Sequence, residues 1–239
     1  MKHERRCVMA PWRTSARRSA LLAAVALFVG LPAHAELRAA APPDSLAESI
    51  HAQAPNISTG AILTAISAYL RARQEHLTDK PLVTVVDYSL PSDRRRLVVA
   101  DVRTGKVLFY TYVAHGKGSG LKYATHFSNA PGTDASSLGV YLTGDTYYGK
   151  HGYSLRLHGL DPEFNGAAYS RDIVIHSAWY VSKTFAQQHG RMGLSWGCFV
   201  LSRKVESELV KLIRGSTVLV GYYPDPRWLH SSPFLASRG

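Results

Sequence analysis

Hydrophobic positions along this chain change their spacing near residue 80. Before it, Ile62, Leu63, Ile66, Tyr69 and Leu70 recur at the 3.6-residue helical period, and Ser58 stands where an N-cap belongs. The spacing predicts a helix from Ser58 to about Arg73. From Leu82 the apolar residues come instead in short β-branched and aromatic runs. L-V-T-V-V-D-Y, R-L-V-V-A-D-V and K-V-L-F-Y-T-Y-V read as strands, the last two joined by a tight turn at Arg103-Thr104-Gly105. L-G-V-Y-L-T, S-L-R-L-H-G-L, D-I-V-I-H-S and T-V-L-V-G-Y-Y predict four more. Between these runs, residues 115–137 are rich in Gly, Ser and Asn and predict a long loop, a length that in compact domains usually serves a function. Ser202 is placed to cap a second helix reaching about Arg214, with Val205, Leu209, Leu212 and Ile213 as its apolar face. Residues 36–57 read as a linker, and residues 224–239, with three prolines, as a loosely held tail. The pattern is that of a mostly β (α+β) domain with one or two packed helices, and no internal repeat is visible.

The N-terminus departs from this texture. Residues 1–19 carry six Lys/Arg against Glu4; an apolar run of twelve follows from Ala20 to Leu31, then Pro32 and Ala33-His34-Ala35. Basic, apolar and small-x-small regions in that order predict a secretory signal peptide over 1–35. The run falls short of the roughly 20 residues of a membrane span, so no stable membrane insertion is expected after cleavage. Cleavage after Ala35 would leave 204 residues with a formal charge of +6, the leader taking six of the 28 bases and one of the 17 acids. No basic cluster with interleaved aromatics suggests a nucleic-acid face; Arg94-Arg95-Arg96 lies beside a turn. The expected organisation is 1–35 signal peptide, 36–80 linker and helix, 81–223 main domain, 224–239 tail, in an exported monomer of the periplasm or cell envelope.

The leader also removes Cys7, leaving Cys198 as the one thiol of an exported protein. A lone thiol in an oxidising compartment is either buried and inert or useful for its reactivity. Its setting, G-L-S-W-G-C-F-V-L-S, favours the second. Gly197 permits a sharp turn and close approach. A helix starting after Ser202 would lower the thiol pKa through its dipole. The N–H groups of Trp196, Gly197 and Cys198 can converge on an oxyanion. A thiol nucleophile needs a base. His176 ends the run Ile173-Val174-Ile175, and alternation, with Ile173 and Ile175 on the buried face, places it on the other face or at the strand's open end. A satisfied core histidine is the competing reading.

H-S-A-W-Y followed, 22 residues after the histidine, by S-W-G-C carries a resemblance. With H-F-S-N, S-S-L-G-V-Y, S-L-R-L-H-G-L and G-R-M-G-x-S-W-G-C, all present here in order, the chain from about Leu82 to Tyr223 resembles the YkuD-type murein L,D-transpeptidase catalytic domain, in a divergent branch. The resemblance implies a YkuD-like β-sandwich acting on peptidoglycan stem peptides as acyl donor and amine acceptor. It implies Cys198 as nucleophile, His176 as base, the Ser177 carbonyl as orienter of the imidazole, and Ser195 as a shaper of the cysteine loop. Cofactors and metal are none, because thiol and imidazole suffice. Arg191 and Arg171 are candidates for stem carboxylates, and His158 for a cleft wall. Val200 departs from the family, whose better-known members carry Arg or Asn there, and the interval from His176 to Cys198 is longer than usual. An L,D-carboxypeptidase and a non-catalytic peptidoglycan-binding envelope protein remain the alternatives. A zinc site built from His115, His126, His158, His176 and Cys198 is disfavoured, since neither H-E-x-x-H nor H-x-x-E-H occurs.

Overall fold

The cysteine loop is held where the two edges of one β-sheet are drawn together. The computed structural model describes residues 42–235, all within one compact unit, Ala39–Gly239. The predicted signal peptide, and with it Cys7, lies outside the described residues. Eight strands form the sheet: β1 (Leu82–Asp87), β2 (Leu97–Asp101), β3 (Lys106–Thr111), β4 (Gly139–Gly149), β5 (Gly152–Gly159), β6 (Val174–Ala178), β7 (Phe199–Ser202) and β8 (Val218–Tyr222). Their order is β3-β2-β1-β8-β4-β5-β6-β7. The β1–β8 and β6–β7 pairs are parallel, and the others antiparallel. The chain leaving β3 then crosses to the opposite edge. Ala114 bridges Val200, and Gly116 bridges Ser195. The sheet is thus curled until its outer strands nearly meet, which covers edges that would otherwise present unpaired backbone groups.

Six helices surround it among the described residues: α1 (Pro43–Gln53), α2 (Thr59–Gln74), α3 (Pro162–Asn165), α4 (Lys183–His189), α5 (Glu206–Ile213) and α6 (Pro226–Ser231). The α+β class is as the patterning predicts, and α2 begins where expected, with Ser58 Oγ accepting from Ala61 N–H at 3.2 Å. It lays Ile62, Ile66 and three alanines, Ala61, Ala65 and Ala68, against β1 and β8. Small side chains there let helix and sheet approach closely.

Three stretches differ from the sequence reading. The expected linker contains α1, whose Leu46, Ala47 and Ile50 are buried. Burying the leucine and isoleucine contributes roughly 1.5–3 kcal/mol each, and Pro43 in the first turn suits a helix start. The expected loose tail is anchored through Asp161, which is buried. Its carboxylate accepts from Trp228 Nε1 at 2.9 Å, Ser232 Oγ at 2.6 Å and Val140 N–H at 2.7 Å. The interval before the cysteine, read as an extended loop, holds α4, capped by Ser182 Oγ and ended by Gly190 at φ +68°.

Candidate active site

Alternation along two neighbouring strands puts the thiol and the imidazole on one face. Ile175 faces Phe199 and His176 faces Val200 in the β6–β7 register. Ile175, Phe199 and Leu201 enter the main core. Cys198 and Val200 point the other way, into a small apolar cluster with Ala114, Ala178, Val181 and Met192. Cys198 therefore lies diagonally from His176 on the face opposite the core, and both line a cavity of about 520 Å³. Val200 is fully buried as part of this cluster.

The helix expected to begin just after the cysteine does not. Cys198 runs directly into β7, and α5 starts only at Glu206. Ser202 Oγ instead accepts from Lys204 N–H in a local turn. The macrodipole fades within a helical turn, so it does not act on this thiol. Burial pushes the Cys198 thiol above its ordinary pKa, while a hydrogen bond from Val174 N–H and the charges of Lys150 and Arg171 pull against that rise. The thiol donates to the Asp172 carbonyl at 3.5 Å, and Asp172 holds a left-handed φ of +51°, a conformation that Asp tolerates better than most residues.

His176 is buried, and burial lowers its pKa to about 4. Its Nδ1–H donates to the Ser177 carbonyl at 3.2 Å. That bond leaves Nε2 as the acceptor of a neutral ring. His151, in the turn between β4 and β5, stacks on His176 at 4.5 Å with an interplanar angle of 20°. Burial thus disfavours the charged form of both groups, thiolate and imidazolium alike.

The cysteine loop is clamped from several sides. Ser195 Oγ donates to the Cys198 carbonyl at 2.8 Å and accepts Gly197 N–H at 3.2 Å. The expected convergence of three N–H groups is thereby reduced, since Gly197 spends its own on Ser195. Ser136 Oγ donates to the Gly197 carbonyl at 3.2 Å. Gly197 has φ +115°, and a Cβ there would meet Ile173 Cδ1 at 2.7 Å and the Ala135 carbonyl at 2.9 Å. The long loop is thus the wall against which the nucleophile loop is pressed. Its start is fixed by buried Arg96, whose Nη2 donates to His115 Nδ1 at 2.6 Å, while His115 Nε2 donates to the Gly120 carbonyl. Burial and the adjacent guanidinium lower His115 to about 3, and its carbonyl accepts Ser195 N–H at 2.9 Å.

Of the residues singled out in the sequence, Cys198, His176, Ser195, Trp196 and Arg171 line the cavity. Arg171 spends its guanidinium on the Ser128 carbonyl at 2.6 Å and the Ala135 carbonyl at 2.7 Å, which ties down the long loop. Two candidates stand elsewhere. Arg191 donates to its neighbour's carbonyl, at Met192. His158 is exposed and stacks on Tyr169 at 5.1 Å. Lys150, His151, Arg156 and Tyr180 line the cavity without having been singled out. The G-K-H-G turn between two strand patterns was the available signal for the first two. Among the described residues, no three of His, Cys, Asp and Glu cluster closely enough to hold a metal ion, and no helix is long and apolar enough to cross a membrane.

Fold and site together define an α+β domain with a thiol and an imidazole sharing one cleft. The chain belongs to the L,D-transpeptidase catalytic domain family, whose model matches residues 53–222. That match begins well before Leu82 and takes in α2. No curated protein matches. Solved structures similar to the chain include an L,D-transpeptidase from Mycobacterium smegmatis (13% identity, 60% of this chain and 59% of that chain, TM-score 0.37). An L,D-transpeptidase from Stackebrandtia nassauensis shows 16% identity over 70% and 68%, with a TM-score of 0.36. The helical cell shape determining protein Pgp2 from Campylobacter jejuni shows 13% identity over 66% and 56%, with a TM-score of 0.39. The match spans less than two thirds of the first of these chains.

Proposed function

We propose that the protein is an exported cysteine L,D-transpeptidase acting on peptidoglycan stem peptides. The observation that carries the reading is the disposition of His176 on β6 and of Cys198, the residue that leads into the neighbouring parallel strand β7, in one cavity. Burial that disfavours both charged forms calls for proton transfer concerted with attack. As Cys198 Sγ attacks the carbonyl of the L-centre of residue three of a tetrapeptide stem, His176 Nε2 takes its proton. The imidazolium is held by the Ser177 carbonyl, and gives that proton to the departing D-Ala amine. A thioester on Cys198 remains. An amine from a second stem or an attached protein resolves it, with His176 again taking and returning a proton; water in that role would make the reaction an L,D-carboxypeptidation. Val174 N–H, which favours the thiolate, stabilises negative charge on the sulfur along the way. The N–H groups of Trp196 and Cys198 are the loop's remaining candidates for the oxyanion.

The test is incubation of the protein with disaccharide-tetrapeptide, with products followed by mass spectrometry. Cross-linked dimer is expected, and tripeptide alone would make the enzyme a carboxypeptidase. Product from Cys198→Ala would overturn the thiol mechanism. Absence of product, together with an intact mass that never shifts under a carbapenem, would favour the non-catalytic envelope protein.

A further inference from the structure

The charged groups around the cavity are not equally committed. Arg171 is engaged with loop carbonyls, as above. Arg156 pairs with Asp172 at 3.6 Å and lies over the ring of Tyr147 at 4.5 Å. Lys150 makes no hydrogen bond or ion pair among the described residues, and its ammonium lies 5.7 Å from the centre of the Trp196 ring. Trp196 is itself 65% exposed at the cavity wall, and receives Lys117 Nζ at 5.5 Å as well. Lys117 is paired with Asp134 at 3.0 Å. Lys150 is therefore the cavity cation whose three N–H donors face no acceptor. The lining holds three bases, Lys150, Arg156 and Arg171, against the one acid, Asp172, which favours an anionic ligand.

The geometry points to Lys150, seated on Trp196, as the subsite for a carboxylate of the donor stem, the terminal carboxylate of the leaving D-residue. This rests on the transpeptidase reading. The choice of carboxylate follows from placement: Lys150 and Cys198 line the same cavity, and the leaving residue carries the carboxylate nearest the scissile carbonyl. The indole supplies an apolar floor for the small side chain beside that carboxylate. An ammonium suits this as a point charge, with no fork geometry required. The role given in the sequence reading to Arg171 and Arg191 thus passes to a residue on the β4–β5 turn.

The test compares tetrapeptide stems ending in a free acid and in a C-terminal amide. Wild-type protein should favour the acid in kcat/KM by about tenfold, the scale of one charge-assisted hydrogen bond. Lys150→Met should abolish the preference, lowering the acid rate about tenfold more than the amide rate, and Lys150→Arg should restore most of it. A change in thiolate population would move both substrates equally, so the ratio isolates recognition. Binding of the two peptides to Cys198→Ala, with and without Lys150→Met, reads the same ratio without turnover. A preference that survives Lys150→Met overturns the subsite and leaves the transpeptidase reading standing. Neither turnover by the wild type nor binding by Cys198→Ala would overturn both.

Discussion

Acid should unfold this protein through two histidines that the fold keeps neutral. His115 accepts a hydrogen bond from a buried guanidinium, so protonating it would set two cations 2.6 Å apart. His176 is buried. Their folded pKa values, about 3 and about 4, lie below the 6.5 of an unfolded histidine. The unfolded chain therefore binds protons first as pH falls. The stability from the neutral rings is fully present above pH 6.5, and is lost progressively as pH falls toward the folded values. Near pH 5 unfolding takes up close to two protons, a slope of about 2.5 kcal/mol per pH unit. From pH 7 to pH 4 the loss is about 6 kcal/mol, against a total of about 5–15 kcal/mol for a typical protein. Asp161, pushed above the usual carboxylate range by burial, works in the opposite sense. His115→Gln isolates the histidine term: glutamine can still accept from Arg96 and donate to Gly120, but does not titrate. Urea unfolding followed by tryptophan fluorescence at pH 5.0, 5.5 and 6.0 should show the slope falling by about 1.3 kcal/mol per unit in that variant. An equal slope in both proteins would refute the neutral, guanidinium-paired assignment.

Gly197→Ala should cost about 1–3 kcal/mol from its positive φ and its contacts with Ile173 and Ala135, and about 10²-fold in kcat/KM by displacing the thiol; a fully active variant would show that the loop can relax. Ser195→Ala removes both internal bonds of the cysteine loop and should cost about 1–3 kcal/mol, with transpeptidation falling more than iodoacetamide alkylation of Cys198; parallel losses would mean a thiol defect rather than a positioning one. Asp161→Ala strips two hydrogen bonds from the C-terminal segment, those of Trp228 and Ser232, and one from Val140 in β4, and should destabilise by about 3 kcal/mol in urea while activity well below the melting point persists; unchanged stability would mean that Trp228 packing alone holds the tail.

Local pattern carried a good deal of this. The β-branched and aromatic runs specified seven of the eight strands, because short continuous apolar runs suit strands buried on both faces, as β1 and β8 are. Ser58 announced α2, because an N-cap bond spans three residues. Strand alternation turned His176 away from Ile175, and the S-W-G-C setting marked Cys198 as unusual. α1 was missed through its composition, although Leu46, Ala47, Ile50 and Ala54 already form a helical stripe. α6 was missed likewise, with Asp225-Pro226 as an unused cap signal.

What tertiary structure decided are the quantities set by long-range contact. Whether the chain after Cys198 pairs with β6 or coils into a helix depends on a partner strand two dozen residues away, and pairing won, which moved the thiol out of reach of any helix dipole. The pKa values of Cys198, His176 and His115 follow from burial by segments distant in sequence. Arg171 was free to bind a carboxylate on paper, but folding brought the carbonyls of Ser128 and Ala135 to it first. Lys150, an ordinary lysine in an ordinary turn, became a cavity residue because the β4–β5 hairpin reaches Trp196. The sequence by itself determined which residues had the chemistry. The curl of the sheet determined which of them share a cavity, and in which protonation state.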